Sequence, residues 1–260
     1  MKSVHTEIVR DAHAYTRSDV PWAISHPKTP YDRMIHYISG GGMRGFFRMN
    51  MNLFGRSVFF TSIYVGYTLI AAQYSDVMLA CSSLMMQLLM IFSYFTDGFA
   101  YAGEALTGRF IGARDEVLLR RTVRLIFVWS MSIALLFVWM YMAGGVPVLK
   151  LLTSDETVVE ACRQFLPWLV LMPPLGCAAF TWDGIFLGAT ASRAIFMAMV
   201  WAAAGFFAVW FGARWLIVDP AAGTPGFDTL AIHCLMAAYF AHLLARTVYL
   251  TCRYRKDIRI

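Results

Sequence analysis

Three acidic residues stand in runs that are otherwise apolar: Asp97, Glu104 and Asp183, while the other thirteen of the sixteen acids fall in polar connections or near the ends. A carboxylate in a partly dry setting has a specific chemistry. Desolvation favours its neutral form, so it can hold a proton near neutral pH and release it when its surroundings change; the same oxygens can bind Na⁺ or an organic cation. The other use of such a group is a static ion pair that fixes helix packing, for example Asp97 or Glu104 with Arg56. Asp97 and Glu104 are seven residues apart, two helical turns, and so share one face. That face also holds Gln87, Tyr94, Tyr101 and Gly108. Arg109 is a second possible partner for Glu104, and a helix-end role is the alternative for Asp183. The first apolar run carries Asn52 and Arg56, which with Arg48 lie at i, i+4 spacing on one helical face; Arg56 requires an acid or a carbonyl, and the three acids are its natural candidates.

The elements that carry these residues are membrane helices. The chain of 260 residues is 59% hydrophobic and 15% charged, with mean hydropathy +0.57, whereas a soluble domain carries about 25% charged residues. At about 20 apolar residues per span, the length holds six or seven crossings. The apolar runs predict six helices, near 50–72, 77–107, 121–143, 163–188, 193–217 and 229–251, and no strand pattern competes with them. Helices also satisfy their own backbone hydrogen bonds in lipid. The chain is therefore read as an all-α polytopic membrane protein in three parts: a polar cytoplasmic segment at 1–47, a six-helix transmembrane lobe at 48–252 and a basic cytoplasmic tail at 253–260. Within 1–47, Pro21, Pro27, Pro30 and the Gly40-Gly41-Gly42 turn precede the first span, and no apolar leader segment is expected there.

Local signals refine the picture. Gly98, Ala102, Ala105, Gly108 and Gly112 form a small-residue face on which a neighbouring helix could pack closely. Pro167, Pro173 and Pro174 predict a kinked fourth span, a feature typical of transporter sites. Thr153 with Glu156 fits a capping box that opens a short lead-in helix inside the loop 144–162. His233 and His242 are nine apart and face opposite sides, so they read as hydrogen-bonded core groups, not a joint metal site. The five cysteines read as small apolar core residues.

Charge sets orientation and excludes a class of partner. Eighteen Lys and Arg, Arg246 counted among them, fall on the side of the N-terminal segment, the second and fourth connections and the C-terminal end, against Lys150, Arg163 and Arg214 on the other side. By the positive-inside rule both termini lie in the cytoplasm of a cell's inner membrane. This accounts for a net charge of +6 without nucleic acid, and no basic-aromatic patch calls for one. No hydrolase, zinc-protease or nucleotide-binding motif is present, so no enzyme activity, resident metal or cofactor is expected.

The stretch YFTDGFAYAGEALTGRFIGARD at 94–115 closely resembles a signature of the multidrug and toxic compound extrusion (MATE) family, in the branch of the DNA-damage-inducible F proteins. FFRMNMNLFGRS at 46–57, LLTSDETVVEACRQFLPWLVLMPP at 151–174, WDGIFLGATASRA at 182–194 and the terminal HLLARTVYLTCRYR are similar to the same branch, in order along the chain. The resemblance implies two six-helix lobes related by a pseudo-twofold axis, exchanging H⁺ or Na⁺ for drugs by alternating access, with this chain corresponding to the second lobe and 1–47 to the connection between lobes. It implies amphipathic organic cations as substrates, lipid as the surroundings, and a second lobe or a second copy as partner. It also implies transport or cation-coupling roles for Asp97, Glu104, Asp183, Tyr101, Asn52 and Arg56. The coupling aspartate of this branch belongs to the other lobe, and the acid that Na⁺-type members carry in the first helix of this lobe is replaced by Asn52 and Arg56. Two further readings stand beside efflux: a product that does not transport without a partner lobe, and a flippase for lipids or lipid-linked sugars, which related folds perform.

Overall fold

A computed structural model describes residues 42–258. Its elements are α1 (Gly42–Ala71), α2 (Asp76–Gly112), α3 (Glu116–Leu152), α4 (Glu156–Arg163), α5 (Leu166–Gly188), α6 (Ser192–Ala213) and α7 (Phe227–Asp257), with a π turn at Arg214–Val218 and a 3₁₀ turn at Asp219–Ala221 between the last two. Among the described residues, six helices are long and apolar enough to cross a membrane, as the sequence predicts. The expectations for 1–41, including the early prolines and basic residues, lie outside the described residues, as does Arg259. The chain divides into a unit at 1–48, of which only the opening turns of α1 are described, and a unit at 49–260, to which every contact below belongs.

α1, α2, α3 and α7 are longer than the apolar runs suggest, while α5 and α6 are slightly shorter. α2 and α3 have 37 residues each, about 55 Å at 1.5 Å per residue, against a hydrocarbon core of about 30 Å. Their polar ends, read from sequence as connections, continue the helix. The basic stretch 108–120 is mostly helical, and the turn within it narrows to Ala113–Asp115, where Asp115 caps α3 by accepting from the Leu118 amide at 2.9 Å.

Three local expectations are corrected. The break falls in α3, not α5: Gly144 leaves helical geometry at φ −127° and ψ 16°, three residues before Pro147, whose ring removes one amide donor and crowds the preceding turn. α5 runs on through Pro173 and Pro174, and Pro167 sits in its first turn, where the amide has no helical partner to lose. The cap of α4 is Asp155, which accepts from the Thr157 and Val158 amides at 2.9 and 3.4 Å; Glu156 instead pairs with Lys150 across the α3–α4 turn at 2.7 Å.

The third correction concerns the close helix contact. On the predicted small-residue face of α2, Gly98, Ala102, Ala105 and Gly112 are exposed, and Gly108 alone approaches a neighbouring backbone, a Cβ at its site standing 3.3 Å from the Gly188 carbonyl oxygen. The close approach uses α5 instead. A Cβ placed on Gly184 would collide with the backbone of Ala100, and one on Gly188 with the backbone of Glu104. Gly184 and Gly188 are one turn apart, the small-xxx-small spacing that lets two membrane helices touch through their main chains. α2 and α5 thus share a backbone seam.

Apolar packing forms two clusters. One draws on all seven helices around Tyr67, Phe92, Leu169 and Phe206; the other joins α3, α5, α6 and the end of α7 around Trp182, Ile195 and Leu250. Several polar side chains beside these clusters are matched, although the hydroxyls of Thr107, Ser130, Thr181 and Thr247 are buried without a partner among the described residues. Tyr67 Oη accepts from Ser82 Oγ at 2.9 Å, Trp168 Nε1 donates to His233 Nδ1 at 2.9 Å, and Tyr141 donates to the Leu88 carbonyl at 2.8 Å. His242 is buried and its Nδ1 meets the Tyr239 carbonyl. Four of the five cysteines are buried as expected, while Cys252 is exposed. The seam makes a sharp prediction. In thermal unfolding in detergent, Gly184→Ala destabilises the chain by about 3 kcal/mol or more, because backbone must move, whereas Gly98→Ala, with nothing within 4 Å of its site, is neutral or stabilises by up to about 1 kcal/mol. Equal behaviour of the two would refute the seam.

Candidate functional site

The seam places a cavity. Because α5 lies against the backbone of α2 at Ala100 and Glu104, the side chains one residue or one turn away on each helix face the same space. Asp97, Tyr101 and Glu104 of α2, Asp183 and Gly184 of α5, Arg56 of α1 and Arg246 of α7 all line a cavity of about 230 Å³. All three predicted acids therefore meet in one place, with Arg56 and Tyr101 beside them.

Their roles differ. Asp183 is buried and is gripped by two arginines. Arg246 binds it as a fork, Nε donating to Oδ1 at 3.0 Å and Nη2 to Oδ2 at 2.5 Å. The same Nη2 also donates to the Ala179 carbonyl at 3.3 Å, and the guanidinium lies 5.3 Å from the centre of the Phe180 ring. Arg56 adds a single bond from Nη2 to Oδ2. Its side chain is 28% exposed, against 2% for Arg246. Arg246 is thus a fixed clamp, and Arg56 is a partner held at one point on the open side. The sequence left Arg56 free to choose among three acids; it takes Asp183, not Asp97 or Glu104. The helix-end alternative for Asp183 falls with this burial.

Asp97 and Glu104 are half-buried, and among the described residues neither makes an ion pair or a side-chain hydrogen bond. Arg109, the alternative partner for Glu104, lies over the Phe110 ring instead. Asp97 is nevertheless within electrostatic reach of Arg246, Asp183 and Arg56. The cavity therefore has one wall of paired charges, on which Arg56 Nε and Arg246 Nη1 still lack a hydrogen bond, and another of two carboxylates without partners among the described residues. Tyr101 stands at its edge, 69% exposed. Asn52 is elsewhere: its Nδ2 donates to Ser192 Oγ at 3.1 Å, tying α1 to the first turn of α6.

Arg246 is the residue the sequence reading misplaced. Counted with the cytoplasmic charges, it is instead one of the most deeply buried side chains. Its position gave a signal: it lies seven residues, two turns, before Arg253, inside the apolar run of the last helix. Removing one side of a buried pair leaves a charge uncompensated, at a cost of about 3–5 kcal/mol. Arg246→Gln is therefore expected to lose about that much in unfolding experiments, and Arg56→Gln, which touches water, far less. Equal losses would contradict the division between clamp and open partner.

Residues 53–210 match the MatE family. Over 176 residues the chain is 32% identical to the DNA damage-inducible protein F of Escherichia coli (strain K12), an alignment that covers 68% of this chain and 38% of that protein. Its fold is similar to the outward-facing conformation of a multidrug resistance MATE family transporter of the MOP superfamily. The TM-score is 0.62 at 13% identity, over 81% of this chain and 44% of that one. The chain thus spans less than half the length of either relative. MATE proteins are transporters, not enzymes, and with six membrane-length apolar helices this is an integral membrane protein. On the span and identity of these matches, the chain belongs to the MatE family.

Proposed function

We propose that the chain is the C-terminal lobe of a cation-coupled multidrug efflux antiporter, working in a cell's inner membrane with both termini in the cytoplasm. The observation that carries this reading is the pair of unpartnered carboxylates, Asp97 and Glu104, on one wall of a cavity whose third carboxylate is held by two arginines. Partly desolvated carboxylates without fixed partners can take up and release H⁺ or Na⁺. Asp183, with two guanidiniums on it, organises the site instead of exchanging the ion.

Size divides the work. A cavity of about 230 Å³ is below the roughly 300–1,000 Å³ of pockets that hold drug-sized ligands, so it suits an ion and its water. The organic cation is assigned to the exposed aromatic faces of α1 and α2, where Phe54, Tyr94, Phe95 and Tyr101 stand open and can offer ring faces to positive charge. A second six-helix lobe, on the same polypeptide, on a partner or on a second copy, would close that face and permit alternating access. Orientation rests on the charge asymmetry, which survives the removal of Arg246 from the cytoplasmic side.

Two experiments test the reading. In cells stripped of their own pumps, the full chain with a six-helix partner lobe is expected to lower ethidium accumulation. Asp97→Asn and Glu104→Gln are each expected to weaken export roughly tenfold, within the usual range of coupling energies. Unchanged export in both variants would remove the carboxylates from coupling, and no export by the wild type would remove the transport reading. In proteoliposomes, export driven by a pH gradient but not by a Na⁺ gradient assigns H⁺ as the coupling ion, and the reverse assigns Na⁺.

A further inference from the structure

A second concavity lies away from the charged cavity, between α6 and α7. It is open, about 680 Å³ in volume, and almost wholly apolar. Its depth comes from small residues. Gly205 and Ala245 are the partly buried contact between the helices, where a Cβ on Gly205 would stand 3.5 Å from that of Ala245. Ala204 and Ala208 continue the trough on α6, and Trp201 and Val248 rise beside it, 56% and 59% exposed. Its volume lies within the roughly 300–1,000 Å³ of ligand pockets. An apolar trough on a membrane helix pair excludes an ion or a polar solute and admits a hydrocarbon chain.

One end of this trough is strongly basic. The first turn of α6 and the end of α7 lie together, since Ala194 and Ile195 pack with Leu250 and Ile258. Arg193 stands in that first turn, and Arg253, Arg255 and Lys256 end α7. Asp257 is the single acid among them and is taken by Arg253 through two bonds of 2.8 and 2.9 Å. Lys256 is four residues beyond the groove-lining Cys252, and Arg193 eight residues before Trp201, about 6 and 12 Å of helix. The first turn of α6 also lacks a side-chain cap. Positive charge thus sits within a lipid headgroup's reach of the mouth of a hydrocarbon slot, the arrangement that holds anionic headgroups between membrane helices.

We propose that the α6–α7 trough is a binding site for one anionic phospholipid, an acyl chain lying over Gly205 and Ala245 and the headgroup phosphate held by Arg193 and Lys256. The site is independent of the Asp183 cavity and does not rest on the transport reading.

The test uses the full chain purified in detergent and native mass spectrometry with dioleoyl phosphatidylglycerol and dioleoyl phosphatidylcholine at equal concentration. The wild type is expected to retain the anionic lipid preferentially. Ala208→Trp, which fills the trough from an exposed position, is expected to release both lipids. The pair Arg193→Gln and Lys256→Gln keeps the trough and is expected to lose the preference, about fivefold for each charge removed. Cys252, exposed where the other four cysteines are buried, gives a second readout: phosphatidylglycerol slows its alkylation by a maleimide, and phosphatidylcholine does so less. Equal retention of the two lipids by the wild type overturns the proposal. So does a preference that survives both sets of substitutions, or a chain dimer that buries Cys252 and carries no lipid.

Discussion

A carboxylate buried among membrane helices is tolerable only when its charge is answered, and Asp183 is answered twice. The fork from Arg246 reaches both oxygens, and Arg56 adds a bond from a third helix. Each of these charges alone would be costly away from water, so α1, α5 and α7 are obliged to converge at one point. Asp183 lies in sequence between Ala179, part of one apolar cluster, and Ile185, part of the other. The ionic knot thus joins two regions of ordinary hydrophobic packing and sets which helices share the cavity.

Within that cavity the charges are unequal in freedom. Arg246 is enclosed by its fork, a carbonyl and an aromatic face, with Nη1 left without a hydrogen bond among the described residues. Arg56 makes one bond from the open side. Asp97 and Glu104 hang on the opposite helix without bonds. Such a site combines a rigid half, which fixes geometry, with a responsive half, whose charge state can change at little structural expense.

The sequence and the structure agree most where physics is local. Asp97, Glu104 and Asp183 were legible because a charge in an apolar run is costly wherever the helix packs. The six spans were legible because apolar run length maps directly onto bilayer thickness. What was not legible depended on neighbours. Arg246 carries the same charge as the juxtamembrane arginines that follow it, and only packing shows that it turns inward. Two glycine-rich faces had the spacing for close contact; Gly98 and Ala102 point outward, while Gly184 and Gly188 meet a backbone, a choice made by the partner helix and not by spacing. The kink followed the same rule, for Pro173 and Pro174 are carried within a continuous α5, while Gly144 and Pro147 together break α3. Thr153 lost the capping role to Asp155 because an aspartate two residues later reaches two amides at once.

The backbone contact of Gly184 and Gly188 with Ala100 and Glu104 has a mechanical meaning. Two helices whose main chains touch have no side-chain layer to slide or repack, so they act as one beam. The spacing between the Asp183 carboxylate and the wall that carries Asp97 is then nearly a constant of the molecule. α1, which meets its neighbours through side chains such as Phe59 on Phe196 and Tyr67 on Tyr239, is the element with latitude. Any movement of one charged helix against another in the cavity is thereby reduced to a single coordinate, the position of Arg56 relative to a fixed row of acids.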